Sequence, residues 1–196
     1  MEAKTNYGFI WETDKCDHEW FNKIHNDRSD LHEHFVNFFL DIRNEIESVL
    51  EIGCGSCGFY PLFFSKENVK YSGIDISTKV VNECRKAFPG EFLCFDFLKE
   101  QPNMKFDLVF SHAVIDHVYD CDIFLSKIIE SSKKYIFISS YRGVDFLIDQ
   151  HKYVWSESEG CYFNIMSAKR LIKSFPGVKM YEFSGKNLKK EAIITF

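Results

Sequence analysis

No long hydrophobic run occurs in this 196-residue chain. Without about 18 consecutive apolar residues, no membrane-spanning helix is expected. The opening Met1-Glu2-Ala3-Lys4-Thr5-Asn6 also lacks the apolar segment of an export signal, so a cytoplasmic location is expected. Glycine and proline are scarce, at 10 and 4 residues, which excludes collagen-like and low-complexity architectures. Positive charge is short as well: 24 Lys and Arg stand against 29 Asp and Glu, for a net charge of −5. A nucleic-acid binder needs a basic surface, so no nucleic-acid partner is expected. What the chain has in excess is aromatic rings: 21 Phe, 9 Tyr and 3 Trp. At this length a single domain, residues 1–196, is the economical reading, with one continuous core.

The seven cysteines follow no disulfide-framework spacing. With no export signal they read as reduced thiols, several buried as small hydrophobes. Cys54 and Cys57 form a CxxC, but no second CxxC or His-x-x-x-His accompanies it, so no metal site is expected. Glycines flank and interrupt this pair in Gly53-Cys54-Gly55-Ser56-Cys57-Gly58, which marks a loop present for its backbone.

The remaining pattern alternates between periods. Asp30 with Glu33 reads as a helix N-cap and its partner, followed by Leu31, Phe35, Phe38/Phe39, Ile42 and Ile46 on one helical face. Strands are expected at 48–52, 69–75, 92–95, 106–111 and 135–140. Helices are expected at 59–65, 77–88, 123–132 and 167–174. Strands separated by helices imply βαβ units and a parallel sheet covered on both faces. Residues 179–183 and 192–196 read as a terminal hairpin. The expected fold is therefore α/β: a Rossmann-like, doubly wound, mixed seven-stranded sheet with an antiparallel C-terminal hairpin.

One segment carries chemistry. Val49-Leu50-Glu51-Ile52 runs as a buried strand into a GxGxxG at a helix start, and Asp75 ends the next strand. Such a loop lets backbone N–H groups approach a ligand, and a carboxylate at Asp75 accepts hydrogen bonds from ribose hydroxyls. Glu51, two residues before Gly53, would repel a pyrophosphate but suits a ligand bearing an ammonium and a sulfonium.

With these residues the sequence resembles a class I S-adenosylmethionine-dependent methyltransferase of the small-molecule, type 11-like branch. The resemblance runs from about Val49 to Ser140. Glu51-Ile52-Gly53-Cys54-Gly55 is similar to the family's first motif, whose loop wraps the methionine part of S-adenosyl-L-methionine. Tyr71-Ser72-Gly73-Ile74-Asp75-Ile76-Ser77 resembles the second, which implies Asp75 on the ribose with Ile76 beside it. Phe95-Asp96-Phe97 resembles the third, implying Asp96 at the adenine amino group and Phe97 on the ring. Phe106 to Val118 resembles the fourth and implies Ser111 at the cofactor. Many members carry glycine where Cys57 stands; here the third glycine comes one residue later, at Gly58.

The resemblance implies in-line methyl transfer to a small-molecule oxygen or nitrogen nucleophile, with His117 or His112 as general base. Residues 1–48 would form a helical cap whose Tyr7, Trp11 and Trp20 cover the pocket. Tyr141, Arg142 and His151 fall where substrate loops lie, and Arg142 suits an anionic acceptor. Two alternatives stay open: action on a protein or polysaccharide, and a non-catalytic nucleotide-cofactor binder. Asp116 reads either as the partner of an imidazole or as a cap. Neither the Asp/Asn-Pro-Pro-aromatic motif of amino-directed DNA methyltransferases nor the Pro-Cys pair of cytosine-C5 enzymes is present.

Overall fold

The computed structural model describes residues 10–12, 16, 19–20, 23, 29–59, 63–184 and 190–196. Its centre is a seven-stranded sheet in the order β3-β2-β1-β4-β5-β10-β9. The strands are β1 (Ser48–Ile52), β2 (Lys70–Asp75), β3 (Glu91–Cys94), β4 (Phe106–His112), β5 (Ser132–Ser140), β9 (Lys179–Ser184) and β10 (Lys190–Thr195). The first five in that order are parallel; β10 runs antiparallel to β5, and β9 antiparallel to β10. The order reverses between β1 and β4, and such a switch point opens a crevice at the strands' carboxyl ends.

Alternation along the strands divides the core into two faces. Val49, Leu108, Phe110, Phe137 and Ile193 point to one face, where α1 (Ser29–Ile42) packs through Phe35 and Phe39. The helix α2 (Thr78–Ala87) joins them through Val80, Val81 and Cys84. Leu50, Ile52, Val109, Ile136, Ile138 and Ile194 point to the other. There they meet Phe124, Leu125 and Ile128 of α3 (Cys121–Ser131) and Ala168 and Leu171 of α4 (Ala168–Ser174). Phe35 sits at the middle of its face, stacked on Phe110 at 4.5 Å with Phe59 at 5.0 Å and Phe137 at 5.2 Å. Much of the aromatic excess is therefore core packing.

Several elements differ from the sequence reading, among them a first helix that already includes Asp30 and a β5 that begins at Ser132. α3 starts two residues early, because Asp120 caps it by accepting from the Ile123 N–H at 2.9 Å. Of the helix expected over 59–65, residues 60–62 lie outside the described residues; Phe59 is helical, Phe63 N–H reaches Phe59 O at 3.0 Å, and a 3-10 turn follows at Phe64–Lys66. Finally, one mixed sheet was expected, whereas a second, three-stranded sheet follows β5, in the order β6-β8-β7. It consists of β6 (Val144–Asp145), β7 (Lys152–Ser156) and β8 (Cys161–Ser167). A turn at Glu157-Ser158-Glu159-Gly160 joins the last two; Gly160 has φ +65° and its N–H reaches Ser156 O at 2.8 Å.

Candidate functional site

The switch-point crevice holds a cavity of about 170 Å³. Its floor is the end of β1 and the following loop: Glu51, Ile52, Gly53, Cys54, Gly55, Ser56 and Gly58. Asp75 and Ile76 from the end of β2 form one side, with Phe95 and Phe97 beyond them. His112, Ala113, Val114 and His117 from the end of β4 form the other, and Trp11 and Trp20 stand over the cavity.

Backbone geometry explains the loop. Gly53 has φ +72°, and a Cβ there would lie 2.2 Å from Val114 Cγ2; only glycine meets both demands. The Gly53 and Cys54 N–H groups both reach Ile74 O, at 2.7 and 3.0 Å, folding the loop onto β2. Gly55 N–H then donates to Asp75 Oδ2 and Ser77 N–H to Oδ1, each at 2.9 Å. Cys57 and Ala113 are the two non-glycine residues with positive φ among those described, at +56° and +58°. Both flank the cavity, where backbone strain accompanies function most often.

The two carboxyl groups are unusual. Glu51 is 2% exposed, and the Tyr71 hydroxyl donates to its Oε2. Burial, with a lesser contribution from the Asp75 charge, pushes the Glu51 carboxyl up to about 8 against the Tyr71 hydrogen bond. Burial raises Asp75 too, opposed by N–H donors of Ser77, Gly55 and Ile76. No Lys or Arg is among the described residues lining the cavity. The site therefore has two buried carboxyl groups, both raised by burial, and no Lys or Arg beside them among the described residues, a setting that favours a cationic ligand over an anionic one.

On the opposite wall, His117 is 8% exposed and held at both nitrogens. Nδ1 lies 2.7 Å from Tyr162 O, which only accepts, so Nδ1 carries a hydrogen, and in the neutral ring Nε2 holds the lone pair. The Tyr141 hydroxyl lies 3.0 Å from that Nε2 and donates to it in that form. The Trp11 ring packs on His117 at 4.9 Å, with Trp20 6.3 Å from Trp11. His112 Nδ1 lies 2.6 Å from Ser139 Oγ, and its ring packs on Phe59 and on His32, at 5.3 and 4.8 Å.

Other residues singled out in the sequence lie outside the cavity lining. Ser111 Oγ donates to Ile52 O at 3.0 Å, fastening β4 to β1. Asp96 Oδ1 accepts from Leu98 N–H at 3.0 Å, a cap on the turn behind Phe97. Arg142 is exposed, its guanidinium 5.1 Å from the Phe163 ring, which in turn packs on His117. His151 belongs to a separate network: Ser167 N–H donates to its Nδ1 at 2.9 Å, and Nε2 lies 3.3 Å from Asp122 Oδ1. Arg170 Nε donates to the same carboxylate at 2.6 Å, and burial lowers His151 below the ordinary imidazole range. Asp116 accepts from Ser140 Oγ at 2.6 Å and from the Tyr141 and Arg142 N–H groups at 3.3 Å. Tyr7 lies outside the described residues.

The structure adds participants that no motif marked. Phe59 and Val114 line the cavity, and Tyr162 and Phe163 back His117 from β8. Asn164 Nδ2 ties that strand to Ile115 O and Val118 O at 2.8 and 2.6 Å. Only the Tyr-Val-Trp and Cys-Tyr-Phe runs around Gly160 signalled this hairpin in the sequence. The expectation of reduced thiols also requires correction, because Cys57 is joined to Cys84 in a disulfide. Their 27-residue separation gave no local signal; the fold brings α2 beside the glycine loop.

Comparison with known proteins agrees with this fold. Residues 44–175 match the family model described as a methyltransferase domain. A curated relative, malonyl-[acyl-carrier protein] O-methyltransferase of Acetivibrio thermocellus, is 28% identical over 98 residues, 48% of this chain. The match spans 34% of that protein's length. Among solved structures, the 1,6-didemethyltoxoflavin-N1-methyltransferase of Burkholderia thailandensis superposes with a TM-score of 0.71 at 10% identity, covering 100% of this chain and 90% of that one. DesVI of Streptomyces venezuelae gives 0.64 at 13% identity, covering 93% and 98%. The amino pentose methyltransferase CalS10 of Micromonospora echinaspora gives 0.62 at 11% identity, covering 86% and 90%. At such identities these structures establish the fold.

Proposed function

The chain belongs to the methyltransferase-domain family, and from that premise we propose that it transfers a methyl group from S-adenosyl-L-methionine to a small-molecule acceptor. The observation that carries this reading is the single cavity joining Glu51, the glycine loop and Asp75 to the two imidazoles His112 and His117. The cofactor fits its donor set: one ammonium and one sulfonium for a cavity with acidic groups and no lining Lys or Arg, and a ribose for Asp75. Glu51, the loop from Gly53 to Ser56, Asp75, Ile76 and Phe97 would hold it. When bound, S-adenosylmethionine supplies a methyl group already activated by the sulfonium charge.

The protein's part is then to position the acceptor, exclude water and take a proton. Trp11 and Trp20, which line the cavity, would cover the acceptor, and their apolar faces favour a small molecule over a macromolecular surface. His117 Nε2 is the basic atom on that wall, its tautomer held by Tyr162 O, and the Tyr141 hydroxyl occupies it until an acceptor proton arrives. His112, held by Ser139, is the second candidate base. The curated relative's name specifies an oxygen acceptor and the Burkholderia enzyme's a nitrogen, and a neutral imidazole serves either.

Calorimetry with S-adenosylhomocysteine tests the cofactor, with micromolar binding expected and NAD as the control. Absence of binding, or undiminished binding by Asp75→Ala, would overturn the reading. For the base, full turnover in both His112→Ala and His117→Ala would overturn it.

A further inference from the structure

Cys57, in the middle of the glycine loop, is not explained by cofactor binding. Cys57 adopts φ +56°, a left-handed conformation that disfavours every side chain but is no obstacle to glycine. Cys57 is fully buried and faces α2, where its sulfur is bonded to that of Cys84, also fully buried. We infer that Cys57 and Cys84 form a reversible thiol–disulfide site that sets how tightly the glycine loop holds the cofactor.

Three observations converge on it. First, the bond links the two pieces that shape the methionine and ribose ends of the cavity. Cys57 lies between the cavity-lining Ser56 and Gly58, and α2 is the helix that follows Asp75 through its cap Ser77. The loop is already fixed at its first half by Ile74 O and Asp75; the disulfide fixes its second half. Second, an acceptor for the reduced thiols is already in place. Gly55 O lies 3.3 Å from Cys84 Sγ and 3.9 Å from Cys57 Sγ, an acceptor ready for either S–H, so breaking the bond leaves no buried polar group stranded. Third, the neighbouring Cys54, whose sulfur lies within 4.8 Å of both, stays out of exchange. Burial, then the Asp75 and Glu51 charges, pushes its thiol well up, and a protonated thiol is a poor nucleophile.

The chemistry balances with hydrogen peroxide as oxidant. One cysteine thiolate attacks peroxide, becoming a sulfenic acid as hydroxide leaves and takes a proton to form water. The second thiol attacks the sulfenic sulfur, forming the S–S bond and releasing a second water. Two thiols thus lose two electrons and two protons, and a dithiol reverses the change by exchange. Because both sulfurs are buried, each direction needs the loop to open, so a bound cofactor slows both.

The inference rests on the cofactor reading, and the experiment separates the two. The full-length protein is reduced with a phosphine, or oxidised with peroxide that is then removed. Remaining thiols are alkylated, and linked peptides are identified by mass spectrometry. S-adenosylhomocysteine affinity is then measured in each state. The expected result is a Cys57–Cys84 linkage and binding about 3–10-fold tighter in the oxidised protein, because the loop is pre-organised. Cys57→Gly, which suits the left-handed position, and Cys84→Ser should both bind alike with and without oxidant. No Cys57–Cys84 linkage, equal or weaker binding after oxidation, or retained sensitivity in Cys57→Gly would overturn the inference. Binding in neither state would instead sink the cofactor reading and this proposal with it.

Discussion

Glu51→Gln is the substitution that tests the electrostatics of the site most directly. Glu51 is 2% exposed, and its carboxyl is pushed from the ordinary 4.5 to about 8, chiefly by burial. Between those values the folded protein keeps a proton that the unfolded chain has released. Stability from this group is therefore complete below about pH 4.5 and is lost as pH rises through about 8. The full interval corresponds to about 5 kcal/mol, and relaxation around the charge reduces this to roughly 2–5 kcal/mol. For a chain of this length that is roughly 5–20 °C in melting temperature. Glutamine mimics the neutral carboxyl and still accepts from the Tyr71 hydroxyl, so its melting curve should lack this slope. The variant should match wild type near pH 5 and exceed it near pH 9. A cationic cofactor reverses the preference: binding draws Glu51 to its carboxylate, releases about one proton near pH 7, and strengthens as pH rises toward 8. Calorimetry in buffers of different ionisation enthalpy reads that proton, and the variant should release none and bind more weakly. Parallel melting profiles for the two proteins across pH 5–9, or no proton release by wild type, would refute the reasoning.

Asp75→Ala should weaken S-adenosylhomocysteine at least about tenfold, since it removes the acceptor proposed for the ribose and frees the Gly55 N–H that it holds. Gly53→Ala should abolish cofactor binding in the same titration, because its Cβ would lie 2.2 Å from Val114 Cγ2 at a φ of +72°. His117→Ala should lower kcat about 100-fold with a small change in KM, read from steady-state kinetics on the acceptor. Phe35→Ala, at the centre of an aromatic cluster, should cost roughly 3–5 kcal/mol in urea unfolding.

What the sequence disclosed, and what it did not, divides by how local the determining interaction is. The strand–loop–strand unit from Val49 to Asp75 was legible because each requirement is carried by the residue itself. Gly53 must adopt a positive φ, Asp75 must end its strand, and the apolar residues of β1 alternate between the two faces of the sheet. The terminal hairpin was legible for the same reason, as two strand-forming runs with a polar segment between them. The second sheet was not, because its strands earn their place by pairing with one another and by reaching back to His117, over a span of 45 residues. Asp116 was legible only as two alternatives, orienting an imidazole or capping a helix; in the structure it holds the N–H groups of Tyr141 and Arg142 in the turn after β5, where no helix begins.

The same distinction bears on where the chemistry resides. The glycine-loop end of the cavity comes from one short contiguous unit, so it can be read from a few residues. The wall proposed for the acceptor, with its support, is assembled from four separate places: Trp11 and Trp20 near the start, His112 to His117 from the end of β4, Tyr141 after β5, and the carbonyl of Tyr162 in β8. No single segment there encodes a site; the tautomer of His117 is fixed by a backbone atom that any residue at position 162 other than proline would also present in strand register. The identity of residue 162 is thus free to vary while the strand's register is not. Substituting Tyr162 should leave turnover nearly intact, whereas disrupting the β7–β8 hairpin at Gly160, whose φ is +65°, should impair it. Kinetics of Tyr162→Phe and Gly160→Val on the acceptor would separate these two expectations, and equal losses in both would show that the side chain, not the strand, holds the imidazole.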